Sequence, residues 1–341
     1  MRKVRLGKSE IVISQTGFGC LPLQRISMEE AIKILRRALD AGITFYDTGR
    51  AYADSENKIG VAFANVRHRV VLATKTQAKE PKKFWDDLHA SLRALNTEYI
   101  DIYQFHDAKR CYLPGDGTGM YECMEEAKMK GLIKHIGVSC HRQDIALQCI
   151  HSGFYETIQY PFSYLYTQED KDIYELAQKK DVGFIAMKML AGGLLDNSEA
   201  VSAFLFAHQN AVGIFGIQSM DELEEWIYYK EKNLAMTESI RKRIEVDRVL
   251  YQGDFCRGCG YCMPCVVGIE INKCARMKYI LRRSQLERFS SRKHKEMMEQ
   301  TKNCIGCGVC MKKCPYQLNI PRLLKENYED YIYMIEKMEN R

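Results

Sequence analysis

The sequence predicts an α/β fold: a (β/α)8, or TIM, barrel followed by a small cysteine-rich module. Two observations carry that expectation. Short β-branched and aromatic runs alternate with segments of helical period, eight pairs within about 215 residues. Beyond them, eight of the 14 cysteines crowd into two runs. The expected domains are residues 1–236 for the barrel and 237–341 for a connecting helix plus the module.

Taken in order, Val4–Leu6 and Ile11–Ile13 around Gly7-Lys8-Ser9 read as a hairpin ahead of the barrel. The strands are then Thr16–Gly19, Ile43–Asp47, Val70–Lys75, Tyr99–His106, His135–Ser139, Thr157–Gln159, Gly183–Lys188 and Val212–Gln218. Between and after them fall helical patterns at Met28–Ala41, Glu56–Phe63, Lys82–Leu95, Met120–Lys130, Asp144–His151, Asp170–Lys180, Glu199–Gln209 and Met220–Tyr229. Ser27 can cap the first helix, with Glu30 completing a capping box and Gly42 ending it. Thr237–Leu250 reads as the connecting helix, and Leu323–Met338 closes the chain.

The cysteine runs are Cys256-x2-Cys259-x2-Cys262-x2-Cys265 and Cys304-x2-Cys307-x2-Cys310-x3-Cys314-Pro315. The second has the spacing of bacterial ferredoxins, whose fourth cysteine ligates the other [4Fe–4S] cluster. A tight C-x2-C-x2-C turn reaches three corners of one cube, so the fourth ligand comes from elsewhere. Cys256, Cys259, Cys262 and Cys314 are thus expected to hold one cluster, and Cys304, Cys307, Cys310 and Cys265 a second. Zinc usually shows two separated C-x2-C knuckles instead. Cys20, Cys111, Cys123, Cys140, Cys149 and Cys274 lack ligand spacing and read as small buried or surface thiols. Cys20 and Cys140 fall near the expected barrel mouth, where a reactive thiol is the sharper alternative.

Composition bounds the setting. Hydrophobic residues make up 46%, enough for a sizeable core. Met1-Arg2-Lys3 leads straight into the hairpin pattern, and no apolar run approaches the ~18 residues of a membrane span. A reducing, cytoplasmic location is expected. Residues 251–341 hold 17 Lys/Arg against 10 Asp/Glu, so the formal +6 resides in the tail. Two oxidised cubes, each of about −2, offset much of that excess. The dense stretch Arg276 to Lys295 suits a solvated face or a docking patch for an acidic redox partner better than nucleic acid.

Barrel enzymes place their chemistry where strands open into the C-terminal loops. Here the second strand ends at Asp47, the third at Lys75 and the fourth at His106, with Tyr52 five residues beyond Asp47. Later strands end in Ser139, Gln159, Lys188 and Gln218. A phenol is a poor acid with its free pKa of about 10. An ammonium beside it, Lys75, would lower that value, and Asp47 would keep the lysine charged and aimed. His106 would orient a carbonyl. Each residue alone has a bland reading (a cap, a surface charge, a core histidine), but the four types together make a proton-transfer set.

Residues 4–229 resemble the aldo-keto reductase superfamily. The resemblance rests on Tyr46-Asp47-Thr48-Gly49-Arg50-Ala51-Tyr52 with Ser55-Glu56 and Gly60, on Ala73-Thr74-Lys75, Phe105-His106 and Gly137-Val138-Ser139. The tail, reading C-x2-C-G-Y-C-M-P-C, is similar to the ferredoxin-like extension of one bacterial and archaeal branch. The resemblance implies NAD(P)H-dependent reduction of an aldehyde or ketone, or the reverse alcohol oxidation, with Tyr52 as general acid, tuned by Lys75 and Asp47, and His106 positioning a small-molecule substrate. It implies that Ser139 and Gln159 hold the nicotinamide carboxamide, that Lys188 and Gly192 belong to a loop over the pyrophosphate, and that Gln218 and Ser219 meet the adenosine end. Met187 falls where many members place an aromatic, and Gln218-Ser219 where a cation often reads the 2′-phosphate, which leaves NAD and NADP both open. The alternative is an electron-transfer or redox-sensing iron–sulfur protein, or cluster-assisted one-electron reduction of a bound substrate. For the clusters themselves, structural staples are favoured over a sensing or electron-feeding role.

Overall fold

The computed structural model describes residues 2–232, 234–251, 255–258, 260–281, 286–314 and 316–339. The chain forms two compact units: Met1–Leu190 with Asn197–Ile244, and Ala191–Asp196 with Glu245–Arg341. Six residues that follow a barrel strand in sequence therefore belong to the second unit.

In the first unit β1 (Lys3–Arg5) and β2 (Val12–Ser14) pair antiparallel, Val4 opposite Ile13. Eight parallel strands then close a barrel: β3 (Thr16–Gly19), β4 (Phe45–Asp47), β5 (Val71–Thr76), β6 (Ile100–Phe105), β7 (Ile133–Ser139), β8 (Thr157–Pro161), β9 (Gly183–Met187) and β10 (Ala211–Gly216), with β10 pairing back to β3. Helices α1 (Met28–Asp40), α2 (Ser55–Phe63), α3 (Pro81–Ala94), α4 (Met120–Met129), α5 (Gln143–Ser152), α6 (Gln168–Lys179), α7 (Ser198–Ala207) and α8 (Met220–Glu231) alternate with them. Every expected strand is present, its ends within two residues of the sequence reading.

Local signals explain the first βα unit. The Ser27 hydroxyl accepts from Glu30 N–H and the Glu30 carboxylate accepts from Ser27 N–H, at 3.2 and 3.1 Å. Ala31, Ile34, Leu35 and Ala38 then recur on one buried face of α1. Gly42, at φ +84°, turns the chain toward β4.

The hairpin positions the site by closing the opposite end. Val4, Leu6 and Ile13 pack with Phe45, Ala73, Ile102, Ile185 and Val212, one buried apolar layer drawn from five strands. Side chains on a strand return to the same face every second residue. The next interior layer toward the C-terminal rim is therefore Asp47, Lys75, Gln104 and Met187, with Ile214 from β10.

In the second unit, which α9 (Glu238–Leu250) enters, short helices α10 (Ile271–Cys274), α11 (Met277–Leu281), α12 (Arg292–Glu299) and α13 (Val309–Lys313) precede the long α14 (Ile320–Glu339). Ile269, Met277, Leu281, Leu323 and Tyr331 form its core together with Cys256, Cys262 and Cys274. The closing helix starts three residues earlier than Leu323. Asn319 caps it, its side-chain oxygen accepting from Arg322 N–H at 3.2 Å, and Pro321 is tolerated in a first turn where no N–H partner is needed. Among the described residues no helix is long and apolar enough to cross a membrane.

Candidate active site and cluster site

The deepest feature of the rim is a buried ion pair. Lys75 Nζ donates to both Asp47 oxygens at 2.7 Å and to the Thr48 carbonyl. Both residues are almost fully buried, 1% and 2% exposed. Gln159 Nε2 donates to Asp47 Oδ2 at 3.2 Å and Gln104 Nε2 to Oδ1 at 3.4 Å. Burial pushes the Asp47 carboxyl up, while the ammonium and the two amides pull it back.

A rigid loop carries the phenol. Thr48 N–H and Arg50 N–H continue the β5 ladder onto Ala73 and Lys75 carbonyls at 2.8 and 3.0 Å. The Thr48 and Ser55 hydroxyls meet at 2.9 Å, and Ser55 donates to the Cys20 carbonyl. Buried Glu56 accepts from Thr74 at 2.7 Å and pairs with Arg50. Tyr52 is thereby held with its hydroxyl 3.5 Å from His106 Nε2, the rings edge to face at 5.4 Å. Lys75 Nζ lies 5.5 Å from the Tyr52 ring centroid. The structure thus brings Asp47, Tyr52, Lys75 and His106 to one rim.

One electrostatic expectation is reversed. Burial pushes the Tyr52 phenol well above its usual range, and Asp47, Cys20 and Asp107 push it further. His106 is pushed down to about 3, by burial first and by Lys75 next. Its Nδ1 is buried without a hydrogen-bond partner among the described residues. At neutral pH the pair is a protonated phenol beside a neutral imidazole.

The remaining residues divide. Ser139 ends β7, its hydroxyl accepting from Asp107 N–H at 3.4 Å. Gln159 has its amide N–H on Asp47, which leaves Oε1 buried and unpartnered among the described residues, an acceptor suited to an amide NH2. Lys188 follows β9 in the left-handed region, φ +57°. Gly192 lies in the second unit. Ser219 caps α8, accepting from Glu222 N–H at 3.2 Å, and Gln218 N–H donates to the Glu222 carboxylate. Trp226 stacks on Phe215 at 4.0 Å, a packing role.

Sequence reasoning missed four residues here. Gln104 was readable, since period two from the interior Ile102 places it inward. Arg25, from the loop after β3, donates to Gln218 Oε1 at 3.5 Å and brings a cation to a place where the local motif has none. Asp107 and His141 pair at 2.9 Å, with Lys109 also on Asp107. His141 is pushed down to about 3 by burial and then by Lys188. No spacing signal links positions 107 and 141. Cys20 and Cys140 are fully buried and their thiols are pushed up, by burial and by Asp47 and Asp107 respectively, so neither is an activated thiol.

In the second unit one cavity is lined by five cysteines, Cys262, Cys265, Cys304, Cys307 and Cys310, with Val266 and Val309 among them. Cys256 Sγ accepts from Gly258 N–H at 3.4 Å, and Cys314 packs against the same core. Cys259 and Pro315 lie outside the described residues. Among the described residues no three His, Cys, Asp or Glu side chains gather tightly enough for one metal ion. Cysteines spread around a cavity suit a multi-iron cube, which is larger than a single ion.

Residues 15–238 match the aldo/keto reductase family. The chain belongs to that family. Residues 255–319 match the 4Fe-4S dicluster domain family, so this aldo/keto reductase family oxidoreductase carries a C-terminal iron–sulfur domain. It is 28% identical over 252 residues to the uncharacterized oxidoreductase YqkF of Bacillus subtilis, covering 70% of this chain and 81% of that one. Among solved structures, aldo-keto reductase AKR11C1 from Bacillus halodurans in its holo form superposes with a TM-score of 0.62 at 23% identity, over 72% of this chain and 96% of that one. An aldo-keto reductase from Klebsiella pneumoniae in complex with NADPH gives 0.62 at 21%, over 72% and 95%. At those identities the structural likeness establishes the barrel.

Proposed function

We propose that this aldo/keto reductase reduces an aldehyde or ketone with NADP(H), or runs the reverse oxidation, with Tyr52 as the proton donor. The observation that carries the reading is the buried Lys75–Asp47 pair set beside the Tyr52–His106 pair. Bound NADPH would supply hydride to the carbonyl carbon. Tyr52, kept protonated by burial, gives its proton to the carbonyl oxygen and is reprotonated from solvent. His106, neutral, offers an N–H that orients that oxygen. Lys75, held by Asp47, lies where its charge stabilises the phenolate left after transfer. Gln159 Oε1 and Ser139 suit the nicotinamide carboxamide, Lys188 the pyrophosphate, and Arg25 with Gln218 and Ser219 the adenosine end. Arg25 favours NADP over NAD.

The second unit would hold two [4Fe–4S] clusters, one on Cys256, Cys259, Cys262 and Cys314 and one on Cys304, Cys307, Cys310 and Cys265. The cavity lined by Cys265, Cys304, Cys307 and Cys310, together with Cys262 of the first set, supports the second set. A reducing cytoplasm keeps such thiols available. Anaerobic purification should yield about eight irons and eight sulfides per chain.

Tyr52→Phe tests the catalytic assignment. The expected outcome is a fall in kcat of about 10²–10⁴-fold, with NADPH fluorescence quenching and iron content unchanged. Turnover that survives the substitution would remove Tyr52 from the chemistry.

A further inference from the structure

Two amides hold the Asp47 carboxylate, and only one of them has a task toward the nucleotide. Gln159 on β8 donates to Oδ2 at 3.2 Å while its Oε1 suits the nicotinamide carboxamide. Gln104 on β6 donates to Oδ1 at 3.4 Å and is 0% exposed. Strand register sets it level with Lys75, Gly137 and Thr157, two residues below Ser139 and Gln159. At that depth it faces the ion pair alone.

Two features fix the direction of the Gln104 amide. Its Oε1 is buried without a hydrogen-bond partner among the described residues, and turning the amide over would set that oxygen against the Asp47 carboxylate. The N–H therefore faces Asp47 although the other end of the amide is unsatisfied, an unfavourable state in a dry interior. Gly137 supplies the room. A Cβ there would strike Gln104 Cγ and the Thr157 hydroxyl.

Lys75 takes both Asp47 oxygens at 2.7 Å, yet a carboxylate gripped in this way can still turn about its Cβ–Cγ bond and carry the ammonium with it. One amide N–H on each oxygen, from β6 and from β8, opposes that rotation. The ammonium is then kept 5.5 Å from the Tyr52 ring centroid. The amides also favour the ionised form of Asp47, which keeps the lysine paired.

We propose that Gln104 is a positioning residue for proton transfer, holding the Asp47 carboxylate so that Lys75 stays beside the Tyr52 phenol. The inference rests on the Tyr52 assignment under Proposed function. It acts on turnover and leaves nucleotide affinity alone.

The test uses anaerobically purified full-length protein and Gln104→Met, which keeps the side-chain length and removes the N–H. Across a panel of aldehydes and ketones kcat should fall about 10-fold, the low end for one hydrogen bond to a charged group. The Kd for NADPH, read by fluorescence quenching, and the tryptophan emission of the barrel should stay unchanged. A second readout needs no substrate. In pH-difference infrared spectra, with Asp47→Asn identifying the band, the Asp47 carboxyl should take up its proton at higher pH in Gln104→Met than in the unmodified protein. Gly137→Ala, which crowds Gln104 from the next strand, should move both readouts in the same direction. An unchanged kcat with an unmoved Asp47 band would overturn the proposal. So would a loss that appears in the NADPH Kd while kcat is kept, because Gln104 would then be a nucleotide contact. Turnover that survives Tyr52→Phe would instead remove the proton-donor reading, and the infrared shift would still report the hold of Gln104 on Asp47.

Discussion

The two units assemble their chemistry in opposite ways. At the barrel rim the reacting groups come from positions 47, 52, 75 and 106, and a closed sheet brings them together; the hydrophobic core beneath is apolar and complete. In the C-terminal unit the groups sit three or four residues apart within two short runs, and several of them are themselves part of the core: Cys256 and Cys262 are buried in it, with Cys265, Cys304, Cys310 and Cys314 packed against it. The first arrangement is built by folding and needs nothing bound. The second places thiols where a small domain would normally place leucines, so its stability depends on what the thiols hold.

The largest effect should follow from that contrast. Removing iron by anaerobic chelation is expected to unfold the second unit and leave the first standing. Both tryptophans, Trp85 and Trp226, lie in the first unit, so their fluorescence reports the barrel alone. Protease should then cut freely within residues 255–339, while tryptophan emission and its urea midpoint stay where they were. A barrel that melts together with the clusters would erase the distinction.

Within the barrel, the sharpest test is its one expensive feature. Lys75→Met leaves the Asp47 carboxylate buried with only two amide donors, and breaking a buried pair in this way costs about 3–5 kcal/mol. The urea midpoint read by tryptophan should fall accordingly, with iron content unchanged. Adding Asp47→Asn to Lys75→Met should recover most of the loss, because the penalty lies in the orphaned charge. If the double variant is no more stable than the single, the pair is not the source.

How much of this was legible follows the same division. Strand ends, the capping box of α1 and the polar residues at the rim could be read because each is local or periodic: Ser27 with Glu30, or Asp47 two residues beyond Phe45. The thiol spacing was legible for the same reason. What escaped are contacts that depend on packing across long separations. Arg25 reaches Gln218 over 193 positions, and Arg276 reaches Gly192 over 84. The sign of the Tyr52 shift escaped as well, since the burial that leads it and the approach of Asp47 and Asp107 are matters of packing, and composition says only that an amine is nearby.

The smallest effect is a dependence on pH that belongs to the barrel. His106 and His141 are both pushed down to about 3 in the folded chain, with burial the leading cause, against an ordinary value of about 6.5 when unfolded. Between those values the unfolded state binds more protons, so stability rises with pH. The contribution is complete above about 6.5 and is lost as pH falls toward 3, by at most about 1.4 kcal/mol per pH unit for each ring. Asp107, held low by His141 and Lys109 despite its burial, adds to the loss on the acid side. Asp47, pushed up by burial, works in the opposite direction. The tryptophan-detected urea midpoint should therefore decline steadily from pH 7 to pH 5, and His141→Gln should flatten part of that slope. A midpoint constant over that interval would mean that both rings take up protons in the folded barrel as readily as in water. The rim would then be a solvated surface rather than the dry one in which a neutral imidazole and a protonated phenol can face each other.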